Sequence, residues 1–331
     1  MRINDIIVEN LDEAISVTQY ETTVDEAIRS GIAQAMTVMS GLKGRNPEEE
    51  RLMLDDRSTP LFNRLHGSLP DVLAEKISNL IKVKLGREIG KDVNLTVSFD
   101  ETEPRVNGLA DNTEIILTNR YVKKLSKEIL ESVKDSVTTS YPLDEWVDAT
   151  FFTFKMLGSQ DRYLTGIILD DSVKTIDAMV DTTLHELVHV LQHHKQYQKG
   201  RTDTEYRSYL DKKKGEFSAL HNKDTLSKDD ETRYYDLYMA SPQEMGSFAH
   251  EMAMSMIRAY GLKDAKSEEE ITPLTSEEVS SFVRKYIHNR YSDPKNQKEY
   301  AVFKRYAKLV YQEVQRYIER VRKTFKKQDQ E

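Results

Sequence analysis

The chain has 331 residues, no cysteine and a formal net charge of −8. Without cysteine, disulfides, thiolate zinc ligands and cysteine nucleophiles are excluded, so any metal site has to be built from His, Asp and Glu. No stretch approaches the roughly 18 consecutive apolar residues of a membrane span, and the opening MRINDIIVEN lacks the apolar run and small-residue cleavage site of a secretory signal.

From Leu11 to about Gly41 apolar residues recur at helical spacing, through Ala14, Ile15, Val24, Ala27, Ile28, Ile32 and Ala35. Gly41 to Leu69 is charged and punctuated by Gly44, Pro47, Pro60 and Gly67, and reads as a connector. Pro70 to Leu85 predicts an amphipathic helix with Val72, Leu73, Ile77, Leu80 and Ile81 on one side. Asn94 to Phe99 alternates, and Glu114 to Thr118 follows the turn residues Asp111 and Asn112, so both predict strands. Tyr121 to Val137 predicts a helix, and Thr150 to Phe154 and Tyr163 to Leu169 predict two more strands. After Asp170-Asp171-Ser172 a long helical pattern runs to about Lys195. Residues 200–232 are polar and irregular, with a helix around Tyr206 to Phe217. Ser241-Pro242 opens a helix that Gly261 ends near Tyr260. Two last helices, Ser276 to Tyr291 and Asn296 to Lys326, flank Ser292-Asp293-Pro294.

The final helix carries the stripe Phe303, Ala307, Val310, Val314, Tyr317, Val321 and Phe325, spaced alternately by four and three. Such a seam buries itself against the body or against a second helix. From Phe282 onward there are 14 Lys and Arg against 6 Asp and Glu, a basic arm on an acidic body. A solvated helix face accounts for it, and contact with an acidic partner or nucleic acid is the alternative. No nucleic-acid-binding module accompanies it.

Chemistry concentrates at His185-Glu186-Leu187-Val188-His189. Residues i and i+4 share a helix face with Cβ atoms about 6 Å apart. His185 and His189 can therefore converge on one ion at about 2.0–2.1 Å, and imidazole suits zinc. Glu186 points aside, where it can take a proton from water on the metal. Leu187, Val188, Val190 and Leu191 keep charge out of the adjoining turns. His193 is about 12 Å of helix rise beyond His185, too far to share that ion, and His194 points elsewhere.

TTLHELVHVL resembles the active-site helix of the zincin metallopeptidases. The resemblance implies an α+β fold for residues 91–262, with a small twisted sheet, the active-site helix and a downstream helix that brings the third ligand. Residues 1–90 are then an N-terminal helical region with a charged connector, and 263–331 a helical basic extension. It implies Zn2+ as cofactor, a peptide or protein as substrate, and Glu186 as catalytic base. The metzincin continuation HExxHxxGxxH is absent, because Gln192 and Lys195 occupy its Gly and third His positions. The gluzincin form, with a later Glu as third ligand, remains. Glu244 in SPQEMGSFAH is its best match here, with Glu216 and Glu251 behind it. Ser241-x-x-Glu244 is also a capping-box pattern, which gives this carboxylate a competing use. The thermolysin-like form has an Asp four residues after that Glu, but here the position is Phe248. Either Ser247, His250 or Asp181 orients a ligand His instead, or no such group is present. His250, or a tyrosine such as Tyr206, Tyr209, Tyr235 or Tyr238, is the candidate stabiliser of the transition state.

A second resemblance lies at the start. Ile6-Ile7-Val8-Glu9 fits the (Leu/Ile)-x-x-Glu form cut by prohead proteases of T4-like tailed phages, and MRINDIIVE is similar to their capsid-targeting leaders. An amphipathic first turn explains the same residues. Two expectations of different class follow. The chain is a zinc-dependent hydrolase, or it is a structural or interaction protein of a virion that keeps a zincin fold as scaffold. Either way a cytoplasmic or virion location without a membrane partner is expected.

Overall fold

The computed structural model describes residues 20–40, 59–89, 95–101, 107–111, 113–140, 146–158, 172–198, 227, 230, 242–263, 265–287, 293–295 and 297–328. The described residues are mostly helical, with one small mixed sheet, an α+β composition. None of their helices is long and apolar enough to cross a membrane. They fall into two compact units, Tyr20–Val190 and Leu191–Glu331.

In the first unit, α1 (Glu21–Ser40) packs on α2 (Thr59–Ile89). Gly31 makes the approach possible, since a Cβ there would lie 2.7 Å from Leu73 Cδ2. α2 begins at Thr59, well before the expected Pro70, which sits inside it. The reason is the stripe Leu65, Leu69, Leu73, Ile77, Ile81 and Leu85, every member fully buried. Its spacing of four continues across the proline, so packing outweighs the hydrogen bond that Pro70 removes. Pro60 falls in the first turn, where proline is tolerated.

Strands β1 (Thr96–Asp100), β2 (Gly108–Asp111) and β3 (Glu114–Thr118) form a sheet in the order β1-β3-β2. β3 is central, parallel to β1 and antiparallel to β2. Asp111 faces Glu114, so the β2–β3 link is a two-residue hairpin. Val97 N–H donates to Ser78 Oγ at 2.8 Å and ties β1 to α2.

α3 (Asn119–Ser140) leaves the sheet directly and packs on α2 and on α4 (Trp146–Gly158). α4 corrects an expectation: Thr150 to Phe154 is helical, not a strand. Ala149, Thr150, Thr153 and Phe154 are buried and Phe152 is exposed. That is the i, i+1, i+4, i+5 pattern of a helix, and five residues of it also pass for alternation. The second expected strand, Tyr163 to Leu169, lies outside the described residues. α5 (Val173–Gln198) carries the HExxH residues.

In the second unit, α6 (Pro242–Ala259), α7 (Ser276–Tyr286) and α8 (Gln297–Gln328) share one apolar core. α6 ends as expected. Gly261 takes φ +66°, its N–H bonds Arg258 O, and Leu262 N–H bonds Ile257 O. These are the paired bonds of a Schellman end, with Leu262 and Ile257 both in the core. Thr275 and Glu278 close a reciprocal capping box at the start of α7. On α8, Phe303, Val310, Val314 and Tyr317 are buried among α6 and α7 residues, with Val321 and Phe325 partly buried against the same cluster. The seam is thus a packing face within this unit.

Candidate metal centre

Ser172 immediately precedes α5, and its carbonyl accepts from the N–H groups of Thr175 and Ile176. Ile176, Met179, Val180, Leu184, Leu187 and Val188 are buried along it. A helix apolar on most of its circumference lies in a core, so polar residues on it are held away from bulk water. His185 and Glu186 are each 6% exposed, and His189 is half-buried. The two imidazole rings stand one turn apart, with centroids separated by 5.0 Å.

Glu244 lies in the first turn of α6, half-buried. One donor atom from each of His185, His189 and Glu244 lies within 4.8 Å of the other two. Among the described residues this is the group with the spacing to hold a metal ion. A tetrahedral ion with bonds of 2.0–2.1 Å wants its donors about 3.4 Å apart, inside that spread. Two nitrogens and a carboxylate oxygen fit zinc and leave a fourth position open. Glu186 is not part of the group.

The other candidates divide. Asp181 is half-buried on α5, one turn before His185. His250 and Ser247 are buried on α6, and Glu251 is half-buried there without joining the group. Ser241, Glu216, Tyr206, Tyr209, Tyr235 and Tyr238 lie outside the described residues, as do Ile6 to Glu9. His193 and His194 fall in the last turns of α5.

Gly108 beside Glu186, and the pair Thr182 and Tyr121 next to it, have no counterpart in the motif. Gly108 on β2 faces the helix so closely that a Cβ there would lie 2.9 Å from Glu186 Cγ, 2.9 Å from Glu186 Oε1 and 2.6 Å from Thr182 Cγ2. Thr182, one turn before Glu186, shares a 2.8 Å hydroxyl–hydroxyl hydrogen bond with Tyr121 of α3. Gly108 opens a strand that the sequence pattern did not announce, so neither it nor its contact was foreseen.

Comparison with protein-family models, curated proteins and solved structures gives no match.

Proposed function

We propose that the chain is a zinc-dependent hydrolase, a metallopeptidase of zincin type with a gluzincin ligand set. The grouping of His185, His189 and Glu244 donor atoms within 4.8 Å carries the reading. Bound there, zinc would polarise a scissile carbonyl and bring a coordinated water's pKa down toward about 7. His185 and His189 supply neutral imidazole nitrogens, and Glu244 supplies a negative oxygen that partly balances the ion's charge. Glu186 stands next to the ligands on a buried turn, where its carboxylate takes a proton from water and returns it to the leaving amine. Burial of α5 keeps bulk water from competing for that proton. Asp181 on α5 and His250 on α6 would be the polar groups that orient a ligand or meet developing charge.

The β2 edge beside Glu186 is the part of the described sheet that would run alongside an extended peptide.

The test is hydrolysis of heat-denatured casein by the purified chain, with and without a chelator, beside Glu186→Gln. Chelator-sensitive cleavage that Glu186→Gln lacks is expected. Cleavage that persists in chelator, or at wild-type rate in the variant, would overturn the reading.

A further inference from the structure

We infer that Gly108 is a positioning residue for Glu186: the missing Cβ on β2 is the space in which the Glu186 carboxylate is held. This rests on the reading of Glu186 as the base. The observation is geometric. Real Cβ atoms essentially never approach another heavy atom to less than 3.0 Å, yet a Cβ at 108 would meet three such atoms. Two belong to Glu186, namely Cγ and Oε1, and the third is Thr182 Cγ2.

The contact is pinned from both sides. Gly108 pairs with Leu117 in the β2–β3 register, and Leu117 is fully buried, so the strand has little freedom to back away. Thr182 is held by its hydrogen bond to Tyr121. The Glu186 side chain has more rotatable bonds than Thr182, so it is the part that can shift to admit an added methyl group. A displacement of about 1 Å at a catalytic group costs on the order of 100-fold in rate. None of the three atoms belongs to the metal group, so the ion itself is left alone.

A glycine needed only for packing and one needed for Glu186 make different forecasts. Gly108→Ala is expected to lower kcat on heat-denatured casein by at least about tenfold, with KM within about twofold and zinc content unchanged. Its melting temperature should fall by about 2–12 °C, the range of overpacking in a unit of this size. In the Glu186→Ala background, which lacks Cγ and Oε1, that loss should shrink by half or more. Thr182→Ser removes Cγ2 and keeps the hydroxyl. Added to Gly108→Ala, it should restore part of the melting temperature and leave kcat low. This double variant keeps the test alive if Gly108→Ala alone does not fold. The inference is overturned if kcat recovers with stability in the Thr182→Ser double variant. It is equally overturned if the loss in melting temperature is the same with and without the Glu186 side chain. Should the wild type hold no zinc and cleave nothing, the hydrolase reading fails, and the melting-temperature comparison alone decides whether Gly108 makes room for Glu186.

Discussion

The imidazole of His189 meets that of His185 edge-on, with planes inclined at 66°. One turn of helix sets this relation, so both nitrogens are arranged by α5 itself. The purified chain is expected to carry about one zinc. His185→Ala and His189→Ala should each abolish retention through gel filtration, read by elemental analysis. Zinc at 100 times its Kd should stabilise the wild type by about 2.7 kcal/mol relative to the apo form, and the variants not at all.

Glu186→Gln separates binding from proton transfer. The amide cannot take a proton from water, and general-base catalysis contributes about 10²–10⁴-fold. Zinc content should match the wild type while casein hydrolysis falls by that factor, measured on the same preparation.

Glu244→Gln distinguishes a ligand from a helix cap. Glutamine caps as glutamate does, but it lacks the charge that holds the ion. Zinc affinity should fall at least tenfold, and the melting temperature in chelator should equal that of the apo wild type. Unchanged affinity, measured by competition with a chromogenic chelator, would remove Glu244 from the site.

How far the sequence spoke depends on the range over which its signals act. The HExxH spacing is local, and α5 displays its face as the spacing requires. The Schellman end at Gly261 is local too, and it is where the glycine suggested. The stretch from Thr59 to Leu69 misled because Pro60, Gly67 and Pro70 are punctuation only when nothing else holds the chain. Here Leu65 and Leu69 extend a buried stripe that decides for helix. The Thr150–Phe154 segment misled because β-branched and aromatic residues favour strands unless neighbours bury a helical face. Gly108 and Tyr121 were invisible for a different reason. Each acts through a contact with a helix far along the chain, and one sequence does not encode which strand will lie over Glu186.

Tyr121→Phe removes the hydroxyl bonded to Thr182 and keeps the ring. A single hydrogen bond of this kind contributes about 0.5–1.5 kcal/mol. Urea unfolding should show a loss of that size with an unchanged m-value. Zinc content should stay the same, because neither residue belongs to the metal group.

The α7 cap gives a pH-dependent expectation. Backbone N–H donation from Thr275, and secondarily its hydroxyl, holds the Glu278 carboxyl below its ordinary value of 4.5. A depressed folded-state pKa adds stability that is present above the ordinary value and fades as pH falls through the lower one. The melting-temperature gap between wild type and Glu278→Ala should therefore be open at pH 7 and narrow once the pH drops below the ordinary carboxylate range.

The sheet order has a consequence for the sequence of events in folding. β2 and β3 are joined by a two-residue hairpin, whereas β1 must reach β3 across a longer stretch of chain. Loop-closure entropy rises with that separation, and an isolated hairpin closes in about 1–10 μs. Gly108 is therefore brought into register with Leu117 by a local event, and β1 adds later to an edge that already exists. The strand that lies against Glu186 belongs to the earliest ordered part of the sheet, and the outer pairing of β1 is the step most exposed to delay.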